Sequence, residues 1–364
     1  MKNTIGNSVA VTLFGESHGP SIGVVIDGLA PGMQVNEAFI EKMLSRRRPA
    51  GAISTSRKEQ DRFVIESGVF EGCTTGTPVC IRIPNNDTKS ADYSASRYLA
   101  RPSHADFTAN RKYHGYEDYR GGGHFSGRLT AALVAAGGLV IPALKAKGIR
   151  IGTHISRCAG IADRKFADME KDLDALQEKA FPVLDEAAGE QMQKAILQAK
   201  SEGNSVGGVL ETVVTGLPAG VGEPWFDTVE SVLSHMLFAV PAVKGVEFGA
   251  GFALADMTGT QANDPFYMDK GRVQTKTNNA GGINGGITNG MPVIFRCAVR
   301  PTPTVGQEQQ TIHMQTMEDA TLAAKGRHDP CIVHRACVVV ECVTALTLCD
   351  LLAGRYGTDW LVQK

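Results

Sequence analysis

Gly28-Leu29-Ala30-Pro31-Gly32 and Gly216-Leu217-Pro218-Ala219-Gly220 are near copies of each other. Each follows a related run, Ser21-Ile22-Gly23-Val24-Val25 in the first half of the chain and Ser205-Val206-Gly207-Gly208-Val209 in the second. Ser21 to Ile26 alternates as a strand does, and Ala30-Pro31-Gly32 has the residues of a turn. Each copy is followed by a helical segment (36–45; 227–239) and a strand (63–70; 246–252), with Ser21 to Val64 spanning 43 positions and Ser205 to Val246 spanning 41. An echo at matched spacing predicts a duplicated strand–helix–strand unit. The expected organisation is one domain over 1–364, built from pseudo-halves of about 1–150 and 201–350. Residues 164–200, charged and interrupted only by Pro182, read as two peripheral helices.

Within the first half lies Arg120-Gly121-Gly122-Gly123-His124-Phe125-Ser126-Gly127-Arg128, followed by a stretch rich in Ala, Leu and Val that reads as a helix over 129–144. Consecutive glycines let the backbone approach a ligand closely. A glycine-rich loop opening a helix is a ready anion site, because first-turn N–H groups are unpaired and the dipole is positive there. Other candidate loops surround it in sequence. Gly15-Glu16-Ser17-His18-Gly19 ends a short apolar strand, and Asn36 is a helix cap before Arg46-Arg47-Arg48-Pro49. Arg101-Pro102-Ser103-His104 sits in the aperiodic stretch 85–118. A second glycine-rich loop, 278–290, precedes a strand over 292–299 and then Arg300-Pro301-Thr302-Pro303-Thr304. Lys325-Gly326-Arg327-His328-Asp329-Pro330-Cys331 precedes an apolar segment through Glu341 and a C-terminal helix.

The composition narrows the classes. Of 364 residues 43% are hydrophobic, ample for a core, and the net charge of −1 provides no overall field for nucleic acid or an anionic membrane. The eight cysteines form no C-x-x-C pair and sit mostly in apolar, strand-like surroundings, which fits reduced thiols of a cytoplasmic protein. No charged-then-apolar leader opens the chain and no run approaches ~18 apolar residues, so neither secretion nor membrane insertion is expected.

Arginine is always charged and presents bidentate donors that match carboxylate and phosphate. The loops gather Arg46, Arg47, Arg48, Arg120, Arg128, Arg300 and Arg327 with His18, His104 and His124. Such a set suits a ligand with more than one anionic group, and two glycine-rich loops suggest a second bound partner. No nucleophile–base–acid triad is visible, and no His/Cys/Asp spacing fits a catalytic metal. Neither glycine run matches the P-loop or the dinucleotide fingerprint. The residues therefore point to acid–base or elimination chemistry on a small polyanion, with a bound cofactor.

Three ordered motifs resemble the chorismate synthase family: Phe14-Gly15-Glu16-Ser17-His18-Gly19, Asp118-Tyr119-Arg120-Gly121-Gly122-Gly123 and Gly326-Arg327-His328-Asp329-Pro330-Cys331. Arg46-Arg47-Arg48-Pro49, His104-Ala105-Asp106, Ala242-Val243-Lys244-Gly245-Val246-Glu247 and Ala280-Gly281-Gly282 agree as well. The resemblance implies an α+β homotetramer, with helices sandwiched between two antiparallel sheets. It implies conversion of 5-enolpyruvylshikimate 3-phosphate to chorismate by 1,4-anti elimination with reduced FMN, the reductant being NADPH or an outside donor. By the same resemblance His18 protonates the departing phosphate, His104 attends the reduced flavin, and Asp329 exchanges a proton at its central ring nitrogen. Arg47, Arg48 and Arg128, with Arg46, hold substrate anions. Ser126 is placed at the chemistry and the flavin, which His124, Phe125, Ala242, Gly282, Arg300, Pro301, Thr302, Pro303, Thr304 and Arg327 also line. The chain departs from the family's usual R-S-S-A-R-E with His124-Phe125-Ser126-Gly127-Arg128-Leu129, from an asparagine with Pro241, and from a lysine with Arg300. A flavin- or phosphometabolite-binding paralogue without turnover, and a lyase for a related enolpyruvyl or cyclohexenyl phosphate, are the competing readings.

Overall fold

A computed structural model describes residues 2–49, 51–54, 60–86, 97–323 and 329–362. Arg327, expected at the flavin, lies outside the described residues. Two five-stranded antiparallel sheets form the outer layers. The first has the order Thr4–Ile5, Ala10–Gly15, Ser21–Asp27, Val79–Pro84, Val64–Ser67. The second has the order Val243–Phe248, Val293–Val299, Gly208–Thr215, Arg150–Cys158, Ile161–Ala162. Alternation decides which face is buried: Ile22, Val24 and Ile26, with Val79, Ile81 and Ile83 beside them, are fully enclosed. The intervening Gly23 lies beneath the Phe14 ring on the opposite face.

Helices fill the space between the sheets. Helix α1 (Glu37–Arg47) starts where the Asn36 carboxamide accepts from the Phe39 N–H. After α2 (Asp106–Tyr113) comes α3 (Thr130–Ala146), which packs on the first sheet. Helices α4 (Met169–Leu176) and α5 (Glu186–Ser201) flank Pro182, as expected, each capped by an aspartate, Asp168 and Asp185. Helix α6 (Val229–Ala239) and the short α7 (Gly259–Ala262) precede α8 (Val333–Tyr356), which packs on the second sheet, α3 and α6. At the α3–α8 crossing a Cβ on Gly137 would fall 2.3 Å from the Cys342 Cβ, so glycine is what lets the helices approach. By length and hydropathy alone Gly127–Ala146 and Val333–Tyr356 could each cross a membrane, contrary to the expectation of no such run. Both are core helices here, 72% and 89% of their apolar windows being buried.

The two sheets share a topology. In each half an antiparallel strand pair (a hairpin in the first, split by α4 and α5 in the second) is followed by a helix, two more strands of the sheet and a long helix, and the later strand of the added pair docks beside the first pair. Corresponding glycines meet the same fate: a Cβ on Gly28 would lie 2.0 Å from Ser8 O, and one on Gly216 would lie 2.0 Å from Gly148 O. The echo needs one correction of register. Gly28 and Gly216 each follow directly on a strand end, so Ser21 corresponds to Val209 rather than to Ser205.

Three stretches differ from expectation. Residues 85–118 contain α2, whose eight residues have only Ala109 buried and so leave no periodic signal. The apolar segment after Cys331 and the C-terminal helix are one helix, α8, and Cys337, Cys342 and Cys349 are therefore helical rather than strand-like. The strand over 63–70 is broken at Gly68, whose φ is +80°.

Candidate active site

The triple glycine is a spacer between two imidazoles. Gly121, Gly122 and Gly123 have φ of 60°, 100° and 52°, conformations that favour glycine. A Cβ on Gly121 would fall 2.1 Å from His18 Cε1, and one on Gly122 would fall 3.3 Å from His104 Cε1. Residues 18, 104 and 121–123, far apart in sequence, thus meet in one place. Arg120 turns away from the loop to form a bidentate pair with Asp118, both contacts at 2.8 Å.

Beside this spacer opens a cavity of about 1340 Å³, walled by the glycine loop, the α1 and α8 ends of the helical layer, and the segments around Ala242 and Arg300. That exceeds the ~300–1,000 Å³ typical of single small-ligand sites. Arg47 and Arg128 line it and are both buried. Arg47 Nη1 lies 3.2 Å from Asp61 Oδ2, and Arg128 Nη1 hydrogen-bonds Asp61 Oδ1. Arg47 Nε donates to Thr130 Oγ1 at 2.9 Å and its Nη2 to Gly127 O at 3.0 Å. Arg128 Nε donates to Asn85 Oδ1 at 3.1 Å, and the Asn85 amide holds the His18 loop through Glu16 O and Gly19 O, both at 2.9 Å.

The other two arginines of the run are placed differently. Arg46 does not line the cavity: it makes a bidentate pair with Glu341 at 2.6 and 2.9 Å, between α1 and α8. Successive helical residues point 100° apart, so a triple-arginine run cannot present one face. Arg46 is therefore a structural cation rather than a substrate contact. Arg48 is also outside the lining and donates to Gln60 O, next to Asp61.

His104 lines the cavity with its Nδ1 2.8 Å from Asp106 Oδ1. Arg101 grips the same carboxylate, Nε to Oδ2 and Nη2 to Oδ1 both at 2.7 Å. Burial alone would raise the Asp106 pKa, but the hydrogen bonds and charges of Arg101 and His104 outweigh it and hold the carboxyl well below the usual range. An ionised Asp106 fixes the proton on His104 Nδ1 and leaves Nε2, on the Gly122 side, for chemistry. Asp329 also lines the cavity, with Arg335 Nη2 2.6 Å from its Oδ2. His18 is buried behind Gly121 rather than in the lining, and Ser17 Oγ lies 3.1 Å from its Nδ1.

Most residues expected at a flavin share this cavity: His124, Phe125, Ser126, Ala242, Arg300, Thr302, Pro303 and Thr304 all line it. His124 Nδ1 is 2.8 Å from Gly15 O, and Phe125 meets Tyr113 edge-on at 5.9 Å. Ser126 Oγ accepts from the Arg128 N–H at 3.2 Å. Arg300 reaches Ser103 O at 2.6 Å, tying its segment to the His104 turn. Thr302 Oγ1 is buried with no hydrogen-bond partner among the described residues. Two positions fall elsewhere. Gly282 closes its own loop, accepting no room for a side chain because a Cβ would lie 2.5 Å from Pro292 O, and Pro301 packs on Gly207.

Comparison with known proteins identifies the family. A family model described as chorismate synthase matches residues 9–353. The chain belongs to the chorismate synthase family. It is 45% identical over 358 residues to a chorismate synthase of Thermococcus gammatolerans, covering 98% of this chain and 99% of the relative. A chorismate synthase of Aeropyrum pernix is 43% identical over 355 residues, with 97% and 93% covered. A solved structure titled "Crystal Structure of Chorismate Synthase" superposes with a TM-score of 0.73 at 27% identity, covering 97% of this chain and 94% of that one. Family membership and the α+β fold with helices between two antiparallel sheets stand as the resemblance implied.

Sequence reading missed Asp61, Asn85 and Arg335 as members of the site. Asp61 adjoins no glycine or histidine motif, and Arg335 lies inside the first turn of α8. Only the density of unpaired-looking arginines signalled that a buried counter-charge had to exist.

Proposed function

We propose that the chain converts 5-enolpyruvylshikimate 3-phosphate to chorismate and phosphate by 1,4-anti elimination, with reduced FMN in the same cavity. The observation that carries this reading is the convergence of Arg47, Arg128, His104, Asp329 and Arg300, from separate parts of a family-matched chain, on one large cavity. The substrate has two carboxylates and a phosphate, which Arg47 and Arg128 suit as charged, bidentate donors. His18, set back behind Gly121, would reach the departing phosphate oxygen past that glycine, which has no side chain to block the ring, and give it a proton as the C–O bond breaks. His104 presents Nε2 to the cavity while Asp106 holds Nδ1. Asp329, paired with Arg335, takes up the proton lost from the ring carbon.

FMN fits the remaining wall. The guanidinium of Arg300 and the hydroxyls of Thr302 and Thr304 would hold its phosphate and ribityl oxygens, the orphaned Thr302 Oγ1 gaining an acceptor. Phe125, Leu129, Leu133, Ala336 and Val339 provide apolar cover for a flat ring. When bound, reduced FMN lends electron density to the allylic system and recovers it, with no net redox change. The same reading makes residues 1–364 one domain with 164–200 peripheral, the enzyme a cytoplasmic homotetramer, and NADPH or an outside donor the source of electrons.

An anaerobic assay with reduced FMN tests it. Chorismate should appear with wild type, and His18→Ala should abolish turnover while keeping most substrate affinity. Flavin binding without turnover, or turnover only of another phosphate, would replace the proposal with a competing one.

A further inference from the structure

We propose that His154 is an imidazolium clasp that pins the start of α5 to the second sheet, and that rising pH loosens it. The His154 side chain is fully enclosed. Its Nδ1 lies 2.8 Å from Asp163 Oδ2 and its Nε2 lies 3.3 Å from Glu211 Oε1. An ionised carboxylate only accepts, so both ring nitrogens must carry a proton to satisfy both neighbours, and a ring with two N–H groups is charged. A neutral ring has one N–H and would turn its lone pair on the other carboxylate.

The sheet repeats the argument along its width. His154 stands opposite Glu211, Glu211 opposite Arg296, and Arg296 opposite Glu247, on four neighbouring strands. Arg296 Nη1 is 4.0 Å from Glu211 Oε2, and its Nε is 2.8 Å from Glu247 Oε1. With Asp163 at the near end, charges alternate along this row only if His154 is positive, and opposite charges facing across strands attract while like charges repel. Phe166 meets the ring edge-on at 4.8 Å, and among the described residues no other charged side chain touches it. Arg164, next to Asp163, is taken by Asp172 at 2.5 and 3.0 Å, and Asp185 presents its N–H to Asp163. Burial alone would lower the His154 pKa, but the hydrogen bonds and charges of Asp163 and Glu211 outweigh it and raise the group above its usual value.

Asp163 is what the clasp holds. Its Oδ2 also accepts from the Leu184 N–H at 2.6 Å, and its Oδ1 from the N–H of Asp185, the N-cap of α5, at 2.8 Å. His154 thus joins the strand Arg150–Cys158 to the head of α5 through one carboxylate. Loss of the second ring proton removes one of its two bonds and the attraction to both acids. A histidine raised in the folded state contributes stability that is fully present below its unfolded value, about 6.5, and is lost as pH rises through the folded value. None of His154, Asp163, Glu211, Arg296 and Glu247 lines the cavity, and the clasp does not depend on the chemistry there.

Hydrogen exchange on the full chain, expressed as protection relative to the intrinsic rate at each pH, reads the clasp directly. In wild type the protection of amides 184 and 185 should fall about tenfold or more between pH 6.5 and 9.5, one unit of raised pKa being a tenfold effect. Amide 39, held by the Asn36 cap without a histidine, should keep its protection. His154→Gln, which offers an uncharged amide, should show the low protection of amides 184 and 185 at both pH values. Equal protection at the two pH values in wild type, or a fall shared equally by amide 39, overturns the proposal. So does a His154→Gln variant that keeps the wild-type pH dependence. Should that variant not fold, the wild-type series with its amide 39 comparison decides alone.

Discussion

Asp106 shows how a single side chain sets the chemistry of its neighbour. Its carboxylate is shared between Arg101 and His104, and its depressed pKa gives the sign of its pH dependence. A carboxyl lowered in the folded state contributes stability that is present above its unfolded value, about 4, and is lost only as pH falls through the lowered value. Asp106 therefore stays ionised at any working pH, and no Asp106 step should appear in the rate profile between about pH 5 and 9. Asp106→Asn should keep the fold but release the His104 tautomer, lowering kcat about 10–100-fold, with KM within about twofold. Chorismate formation under saturating substrate checks this, and an equal rise in KM would show a binding role instead. The His104-Ala105-Asp106 triplet was visible in the sequence only as a stretch shared with the family it resembles, and the pairing of its two ends comes from the structure. The pairing of Asp61 with Arg47 and Arg128 was not visible at all, since the arginines lie 14 and 67 positions away and only the fold brings them together.

At the scale of elements, α8 is the instructive case. Its residues are buried from Val333 to Ala353 with few breaks, because it lies between the second sheet, α3 and α6. A helix enclosed on all sides has no polar face and therefore no 3.6-residue signal, which is why its first half reads as an undifferentiated apolar segment. Arg335, Glu341 and Asp350 interrupt it, and Glu341 is the one that pairs with α1. Glu341, 4% exposed, takes both forks of Arg46 from α1 and also accepts from the Thr153 N–H at 3.2 Å. Removing one partner strands a buried ion, so Arg46→Met should destabilise by about 3–5 kcal/mol. The double change Arg46→Met with Glu341→Met should recover most of that loss, in proportion to how well the methionines repack. Urea midpoints of the three variants would show it. A single variant costing less than about 1 kcal/mol would mean that the pair is solvated and that α1 is held by packing alone.

Over the whole molecule the duplication reaches individual hydrogen bonds. Thr74 Oγ1 donates to Ala30 O at 2.6 Å and accepts from the Met33 N–H at 2.9 Å. Thr288 Oγ1 donates to Pro218 O at 2.7 Å and accepts from the Val221 N–H at 2.9 Å. Their backbones match too, the Gly32 and Gly220 N–H groups donating to Thr74 O at 2.7 Å and Thr288 O at 2.8 Å. The repeated pentads at 28–32 and 216–220 made the turns legible, but the threonines that lock them sit in dissimilar surroundings, one before Thr75-Gly76 and one before Asn289-Gly290. Each threonine is buried, so replacement by isosteric valine leaves a carbonyl and an amide without a partner. Thr74→Val and Thr288→Val should therefore each cost about 1–3 kcal/mol. The two sites share no partner, so the double variant should show the sum within about 0.5 kcal/mol. The form of the transition carries the larger claim. Both turns abut sheets whose helices pack on each other across one core, so each variant should shift a single cooperative unfolding transition. If Thr288→Val instead splits the curve, with one transition lowered and the other left at the wild-type midpoint, the halves are separately stable units, and the shared helical layer is not what joins them.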